Sequence, residues 1–207
     1  MQCKKKKVYI FVNGILAYPG NSQGWTDRAV TWTHLNSGCR GEKFEYFAGA
    51  LSRRLFQQSR AKNLARLVVD YQSEGWQVCI VGHSNGCDVI IRALSLMPLV
   101  HLEEVHLISA ACEEDPEVNG LKEKTLKKLI KKVQVFVAGK DKALGFARRT
   151  RKILEKFGLG YGSLGVDIKY VEKHYDDVVF EPNYDHSDWF EDDNFDKTMS
   201  HIIKKVA

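Results

Sequence analysis

The chain has 207 residues, of which 44% are hydrophobic, a proportion that supports one domain with a sizeable core and argues against global disorder. Its formal net charge of +5 is a modest excess for this length and does not by itself indicate a nucleic-acid partner. Because no apolar run reaches the ~20 residues that a membrane-spanning helix needs, we expect no membrane span.

The five cysteines form neither a C-x-x-C motif nor a Cys/His cluster with zinc spacing. We therefore predict no metal, no cofactor and a reducing, cytoplasmic location. The lysines at residues 4–7 and the apolar run at 8–12 have two features of a signal peptide. However, Asn13 and Gly14 interrupt the apolar run, and no A-x-A site follows it.

Two hydrophobic periods alternate along the chain. Short β-branched and aromatic runs are typical of buried strands, and apolar residues three and four positions apart are typical of amphipathic helices. In chain order, these patterns predict a strand at residues 8–12, one helix or two over 44–71, a strand at 76–81, a helix at 86–96, a strand at 105–109, a helix at 121–132, a strand at 133–138, a helix at 144–157, a strand at 166–171 and a helix at 188–206. This alternation indicates a mostly parallel sheet with helices on both faces.

The sequence Gly-His-Ser-Asn-Gly at residues 82–86 joins a predicted strand to a predicted helix. In such a sheet, ligands lie beyond the carboxyl ends of the strands. The flanking glycines allow Ser84 to occupy a tight, strained turn because they lack side chains that would collide with the strand and helix. The helix also directs backbone N–H groups toward the serine, which favours an oxyanion there. The alternative is a purely structural turn.

This G-x-S-x-G motif, in its strand–turn–helix setting, resembles the nucleophile elbow of the α/β-hydrolase family. By order of elements, the resemblance extends over residues 8–206. It implies a single α/β-hydrolase-like domain over residues 1–207, built as an α/β three-layer sandwich. It also implies that Ser84 is a nucleophile, followed along the chain by an acid and then a histidine.

The family's acid follows a later strand, and Asp141 occupies that position after the strand at 133–138. A helix N-cap or a surface turn is the alternative interpretation of Asp141. The family's histidine lies in the loop before the last helix, where His186 stands. His174 is a rival because it also follows the predicted strand at 166–171. We favour His186 because the residues after it can cap the last helix and fix its loop.

The resemblance implies an oxyanion hole formed by two backbone N–H groups, those of Ile15 and Asn85. The family often has His-Gly before the first donor, whereas this chain has Asn13 and Gly14. An ordinary β-turn would explain Asn-Gly equally well. The predicted substrate-binding residues are Asn13, Gly14, His83 and Trp25.

Together these residues predict a serine hydrolase that cleaves a carboxylic ester with a small or medium acyl group through an acyl-enzyme intermediate. His186 would take the Ser84 proton and return it to the leaving group, while Asp141 would hold the imidazole tautomer. Thioester hydrolysis, amide hydrolysis and acyl transfer remain open, as does a catalytically silent binding protein. We expect a small-molecule ester substrate, no nucleic acid, and a monomer or homodimer.

Two further features leave alternatives open. Residues 16–46 contain a long predicted loop with a short helix around 26–35, and form either a lid or pocket wall or a surface loop pinned by its aromatic side chains. The basic helices at 121–132 and 144–157 could contact anionic membranes or nucleic acid. Lysines on the outer side of sheet-covering helices would give the same pattern, and we favour that interpretation.

Overall fold

The computed structural model describes residues 6–14, 24–46, 50–156 and 162–204, with the backbone alone described for 50–55 and 152–156. In chain order the elements are β1 (Lys7–Val12), α1 (Trp25–Ser37), β2 (Arg40–Phe44), α2 (Ala50–Ser73), β3 (Gln77–His83), α3 (Asn85–Leu96), β4 (Leu102–Ile108), α4 (Leu121–Leu126), β5 (Ile130–Ala138), α5 (Lys142–Lys156), α6 (Ile168–His174), β6 (Asp177–Glu181) and α7 (Asp192–Ile202). A short 3-10 turn, Asp188–Phe190, precedes α7.

The six strands of the described residues form one sheet in the order β2-β1-β3-β4-β5-β6, and each neighbouring pair is parallel. Such a sheet must be covered on both faces. Side chains from α2, α3, α4 and α6 pack on one face, and side chains from α1, the 3-10 turn and α7 pack on the other. The predicted three-layer α/β sandwich is therefore confirmed.

The sequence of β1 is continuously apolar over residues 8–12 because both faces of the strand are buried. Val8, Ile10 and Val12 contact one helical layer, whereas Tyr9 and Phe11 contact the other. All five side chains are at most 2% exposed. Because both faces of the strand are buried, alternation of side chains does not produce alternation of polarity.

The predicted strand at residues 166–171 is wrong, because this segment begins α6. Asp167 caps the helix by accepting a hydrogen bond from the backbone N–H three residues later, at 3.2 Å. Ile168, Val171 and Tyr175 pack against the core at helical spacing. The sixth sheet position is taken instead by β6, in a segment predicted as a loop. Its side chains are at most partly buried, and its apolar run, residues 178–180, is only three residues long.

The basic helix predicted at residues 121–132 is much shorter than expected. The helix α4 ends at Leu126, and Lys128 has a φ of 58°, which turns the chain toward β5. Leu126 is consequently exposed, whereas Lys124 is buried and donates to the Met97 carbonyl at 2.9 Å. This segment therefore does not present the continuous basic face that the predicted helix would have had.

The long loop predicted at residues 16–42 contains regular structure in its described part. Trp25, Ala29 and Trp32 of α1 pack against the sheet, and β2 extends the sheet beside β1. The sequence of β2, RGEKF, lacks an apolar run because an edge strand needs less burial. The adjacent helix α2 begins at Ala50, after the predicted start. A lid role for residues 16–46 remains a prediction.

The final predicted helix is divided into the 3-10 turn and α7, because Glu191 adopts an extended backbone between them.

Within the described parts of the chain, no helix combines the length and apolar composition needed to cross a bilayer.

A chain of polar side chains runs across the sheet from Lys7 in β1 to Asp177 in β6. Lys7 donates to Glu104 Oε1 at 2.6 Å, and His106 Nε2 lies 3.0 Å from Glu104 Oε2. His106 Nδ1 lies 2.9 Å from Gln134 Oε1, and Gln134 donates to Asp177 at 2.8 Å. Burial alone would raise the pKa of Glu104, but the hydrogen bonds from His106 and Lys7 lower this pKa to about 2.

Replacing Glu104 with Gln should reduce stability in a pH-dependent manner. Because the folded-state pKa lies below the ordinary 4.5, the stabilisation is present above pH 4.5 and is lost as the pH falls toward 2. We expect Glu104→Gln to lower the free energy of unfolding by about 2 kcal/mol at pH 7. Urea unfolding at pH 7 and pH 3 should show that the difference from wild type shrinks in acid.

Glu103→Gln provides the matched control, because the ion pair of Glu103 with Lys131 is exposed. Such a pair contributes about 1 kcal/mol or less. A Glu104→Gln effect that is equally large at pH 7 and pH 3 would contradict the proposed contribution of the ionised carboxylate.

Candidate active site

The loops after β1, β3, β4, β5 and β6 leave the same edge of the sheet because all the strands are parallel. Gly14 follows β1, Ser84 follows β3, Asp141 follows β5 and His186 follows β6. The fold therefore brings residues that are far apart in the sequence to one edge. This edge is where ligands of open α/β sheets bind.

Ser84 occupies a strained turn between β3 and α3, with a φ of 53° and a ψ of −124°. A left-handed φ is uncommon for any residue other than glycine and costs energy unless the surroundings hold it. The Ser84 N–H donates to the Ile108 carbonyl at 3.0 Å. The Ser84 carbonyl accepts hydrogen bonds from the N–H groups of Cys87 at 3.1 Å and Ala111 at 3.2 Å. These contacts hold the turn from both sides.

Two glycines allow close backbone approach at this turn. A Cβ atom at Gly86 would lie 2.5 Å from the Val12 carbonyl oxygen and 2.6 Å from that of Asn13. A Cβ atom at Gly14 would lie 3.0 Å from Ser84 Cβ. The absence of these side chains lets the first turn of α3 pack against the end of β1 and brings the segment after β1 beside Ser84.

Asp141 and His186 are in direct contact. His186 Nδ1 lies 2.8 Å from Asp141 Oδ2, and the Asp141 side chain is buried. The other oxygen, Asp141 Oδ1, accepts a hydrogen bond from the Leu144 N–H at 2.8 Å. Asp141 therefore caps the start of α5, as the alternative interpretation required, and contacts His186 at the same time.

The backbone of His186 is fixed by its neighbours. The His186 N–H donates to Asp185 Oδ1 at 2.8 Å, and the His186 carbonyl lies 3.0 Å from His83 Nε2. Burial, and then the proximity of His186, lower the pKa of His83 to about 3. His83 is thus neutral near pH 7, and the hydrogen bond to a carbonyl requires its proton to be on Nε2.

Ser84 and His186 line the same cavity, which has a volume of about 190 Å³. The other residues of its wall are apolar and come from the segment after β4 and from the first turns of α5: Ala111, Ala143, Leu144, Phe146 and Ala147. Although both side chains are described, Ser84 and His186 are not joined by a hydrogen bond in this structure. Since Asp141 occupies His186 Nδ1, the Nε2 atom is the nitrogen left for a group in the cavity.

The predicted substrate-binding residues lie around this cavity and do not line it. His83 and Trp25 line a neighbouring cavity of about 650 Å³, where Trp25 stacks on Phe190 with the ring centroids 4.4 Å apart. Asn13 is buried, and its amide donates to the Tyr46 carbonyl at 3.2 Å. The proposed oxyanion residue Ile15 lies outside the described residues.

The structure describes both His174 and Asn85, the other residue predicted for the oxyanion hole. The rival His174 lies in α6, where its ring stacks on Tyr170 with centroids 4.4 Å apart. Asn85 is the first residue of α3 and is buried. The first N–H groups of a helix have no acceptor within it, so the Asn85 N–H needs a partner outside α3. Among the described residues, no cluster of His, Cys, Asp and Glu is arranged to hold a metal ion.

Sequence reasoning missed the residues of α5 that line the cavity and missed Tyr46. The α5 residues directly follow Asp141 in the sequence GKDKALGFA, so their proximity to the acid was the available signal. Tyr46 follows an unpredicted strand, and no motif marked it. Its hydroxyl contacts both Asn13 and Asn85.

Residues 35–165 match the model of a family described as "Alpha/beta hydrolase of unknown function (DUF900)". Among curated proteins, none matches this chain. The chain resembles the crystal structure of an uncharacterized protein from Bacillus cereus ATCC 10987, with a TM-score of 0.59 and 16% identity. This match covers 96% of the present chain but 60% of the Bacillus cereus protein.

A lipase and an esterase have similar folds. The mature lipase BlEst2 from Bacillus licheniformis has a TM-score of 0.57 and 16% identity over 97% of this chain and 94% of that one. An esterase from Pyrobaculum calidifontis has a TM-score of 0.57 and 13% identity over 96% of this chain and 75% of that one. At these identities, the likeness shows the fold alone.

The close approach at Gly86 predicts a large effect of a single added methyl group. We expect Gly86→Ala to lower the free energy of unfolding by about 2–3 kcal/mol, because the methyl group would collide with two carbonyl oxygens. Denaturant unfolding monitored by circular dichroism would measure this loss.

Gly145→Ala is the matched control, because nothing beyond its chain neighbours and its own helix backbone lies within 4 Å of the Cβ position of Gly145 in α5. Alanine is favoured over glycine within a helix, so this variant should gain up to about 1 kcal/mol. Equal stability of the two variants would contradict the close-packing argument.

Proposed function

Because the chain belongs to the alpha/beta hydrolase family DUF900, we propose that it is a serine hydrolase that cleaves a small carboxylic ester. The observation that carries the proposal is the His186–Asp141 contact at a cavity that Ser84 also lines. Family membership supports the hydrolase fold. The serine chemistry and the ester substrate are supported by the arrangement of side chains at the carboxyl edge of the sheet.

In the proposed reaction, the Ser84 hydroxyl oxygen attacks the ester carbonyl while His186 Nε2 takes its proton. Asp141 keeps the other proton of the imidazole on Nδ1 and stabilises the imidazolium that forms. The ester C–O bond then breaks, and His186 gives its proton to the departing alcohol. A water molecule repeats these steps on the acyl-serine, which releases the acid and restores Ser84.

The proposed oxyanion hole is supported by the start of α3. The Asn85 N–H and the positive end of the helix dipole lie next to Ser84, where negative charge develops on the carbonyl oxygen. The proposed second donor is the Ile15 N–H. Its neighbour Gly14 lies against Ser84, which supports a role for this segment.

The size and lining of the cavity support a short apolar substituent on the substrate. Its volume of about 190 Å³ lies below the roughly 300–1,000 Å³ typical of pockets for drug-sized ligands. Besides Ser84 and His186, its wall is apolar. A short acyl or alkyl chain fits this space better than a charged or strongly polar group.

A fluorophosphonate probe tests the nucleophile directly. We expect intact-mass analysis to show one adduct on wild type and none on Ser84→Ala, because the probe reacts with an activated serine hydroxyl. The matched control is Ser109→Ala, since Ser109 also has a positive φ, of 42°, and follows the adjacent strand β4. This variant should retain the adduct.

The same proteins should be assayed with p-nitrophenyl acetate and butyrate. Ser84→Ala should lose at least about 10⁴-fold in kcat, consistent with removal of a triad nucleophile. Absence of an adduct on folded wild type would reject the serine hydrolase proposal. Labelling without ester turnover, combined with thioester or amide cleavage, would reject the ester substrate while retaining the nucleophile.

The cavity wall predicts a change in chain-length preference. Ala147→Phe should reduce kcat/KM for butyrate and longer esters by about 10-fold or more relative to acetate, since the new ring would fill part of the cavity. Arg149→Phe, an exposed position of α5 outside the cavity wall, is the control for added bulk. An unchanged butyrate-to-acetate ratio in Ala147→Phe would contradict this assignment of the acyl pocket.

A further inference from the structure

The Tyr46 hydroxyl joins the two backbone segments that carry the proposed oxyanion donors. It donates to the Asn13 carbonyl at 2.8 Å and accepts a hydrogen bond from Asn85 Nδ2 at 3.2 Å. Asn13 lies just before Gly14 and Ile15, and Asn85 directly follows Ser84. We propose that Tyr46 is a positioning residue that holds the Asn13–Gly14 peptide and the Asn85 end of α3 at a fixed spacing beside Ser84. This inference rests on the proposed function.

A second set of contacts fixes Asn13 to the segment after β2. The Asn13 side-chain amide donates to the Tyr46 carbonyl at 3.2 Å, and the Asn13 N–H donates to the Phe44 carbonyl at 3.4 Å. Asn13 and Tyr46 therefore contact each other reciprocally, each through both its backbone and its side chain. The asparagine that replaces the family's usual histidine has a specific structural use here.

The contact with the Asn13 carbonyl acts on the peptide plane that follows it. This carbonyl belongs to the peptide unit between Asn13 and Gly14, and a peptide unit is planar. Holding the oxygen in place therefore fixes the orientation of the Gly14 N–H. Glycine allows many backbone conformations, so an external contact is needed to select one of them. The selected conformation places Gly14 against Ser84.

The direction of each hydrogen bond in this network is determined by a carboxylate. Asp88 accepts hydrogen bonds from Gln57 Nε2 at 2.7 Å and from Arg92 Nε at 3.0 Å. The same Gln57 nitrogen lies 3.3 Å from Asn85 Oδ1, so that oxygen is the acceptor and Asn85 Nδ2 faces Tyr46. The Tyr46 hydroxyl must then accept from Asn85, and its single proton is directed to the Asn13 carbonyl.

The Tyr46 hydroxyl stays protonated near neutral pH. Burial raises the pKa of Tyr46 further above its usual value of 10, and this outweighs the opposing effect of the Asn85 hydrogen bond. The Arg60 guanidinium also lies over the Tyr46 ring, 4.7 Å from its centroid, and helps to hold the ring in place. Tyr46 is therefore a fixed donor on one side and a fixed acceptor on the other.

Tyr46→Phe tests the inference because it removes the hydroxyl and retains the ring. With p-nitrophenyl acetate, we expect kcat to fall by about 10- to 100-fold with KM changed by less than about 3-fold, since the oxyanion donors act mainly in the transition state. The affinity for a trifluoromethyl ketone, which forms a tetrahedral oxyanion with serine, should fall by a similar factor.

Asn85→Ala provides a second variant that keeps the backbone N–H and removes the other half of the bridge. If both side chains act through one contact, the double variant should lose about as much kcat as the more severely affected single variant. Strictly multiplicative losses in kcat would overturn the bridge. Asn85→Ala also tests the inference if Tyr46→Phe does not fold.

Tyr175→Phe is the matched control. The Tyr175 hydroxyl also accepts from an asparagine amide, Asn119 Nδ2 at 3.0 Å, and donates to a backbone carbonyl, that of Glu114 at 3.2 Å. Burial raises the pKa of Tyr175 as it does that of Tyr46. We expect a similar loss of thermal stability in both variants but unchanged kcat in Tyr175→Phe.

Two results would overturn the inference: a Tyr46→Phe kcat equal to wild type, or equal kcat losses in both tyrosine variants. The proposed function is judged separately, by wild-type turnover and by the fluorophosphonate adduct on wild type. An active wild type with a fully active Tyr46→Phe therefore rejects the positioning role while retaining the hydrolase.

Discussion

The left-handed backbone of Ser84 is stable only because the adjacent chain segments hold it. Its N–H and carbonyl are bonded to the end of β4 and to the segment that follows, and the first turn of α3 returns to the same carbonyl. The strain at one residue is thus offset by backbone contacts that the parallel sheet supplies. If the β3–β4 register moved by one residue, Ser84 would lose its partner at Ile108 and the turn would relax.

The second half of the site depends on the edge of the sheet formed by β5 and β6. The Gly139 N–H donates to the Glu181 carbonyl at 2.9 Å, and the Lys140 N–H donates to the Tyr184 carbonyl at 2.9 Å. These bonds continue the strand pairing into the two loops, so Asp141 and His186 meet on a backbone that is already aligned. The contact between the Asp141 and His186 side chains therefore forms on loops whose backbone is already ordered by strand pairing.

The sequence was most informative at positions where the residue type has a single physical explanation. The two glycines around Ser84 predicted a close backbone approach, and the order of Ser84, Asp141 and His186 predicted which loops would meet. In the structure His186 Nδ1 lies 2.8 Å from Asp141 Oδ2, although the strand before His186 was wrongly assigned. β6 was missed because an edge strand is only partly buried, so its register depends on pairing with β5 more than on its own pattern.

The Tyr46 contacts could not be predicted from the sequence for a different reason. They join residues that are 33 and 39 positions apart, and Tyr46 itself follows a strand whose sequence is mostly polar. Hydrophobic periodicity within a single segment does not predict such a contact. The same holds for the cavity wall, since Ala111 and Ala147 meet only after β4 and α5 have been placed. Short polar bridges and small apolar walls are products of tertiary packing, and individual motifs do not encode them.

Three histidines near the sheet have different surroundings. His106 has both ring nitrogens bonded, to Glu104 and to Gln134, within the polar chain that crosses the sheet. His83 donates to a carbonyl, and its pKa of about 3 leaves it neutral near pH 7. His186 has one nitrogen held by a buried carboxylate and lines a cavity beside a partly exposed serine. A base must be oriented on one side and free on the other, and of these three histidines His186 meets both conditions.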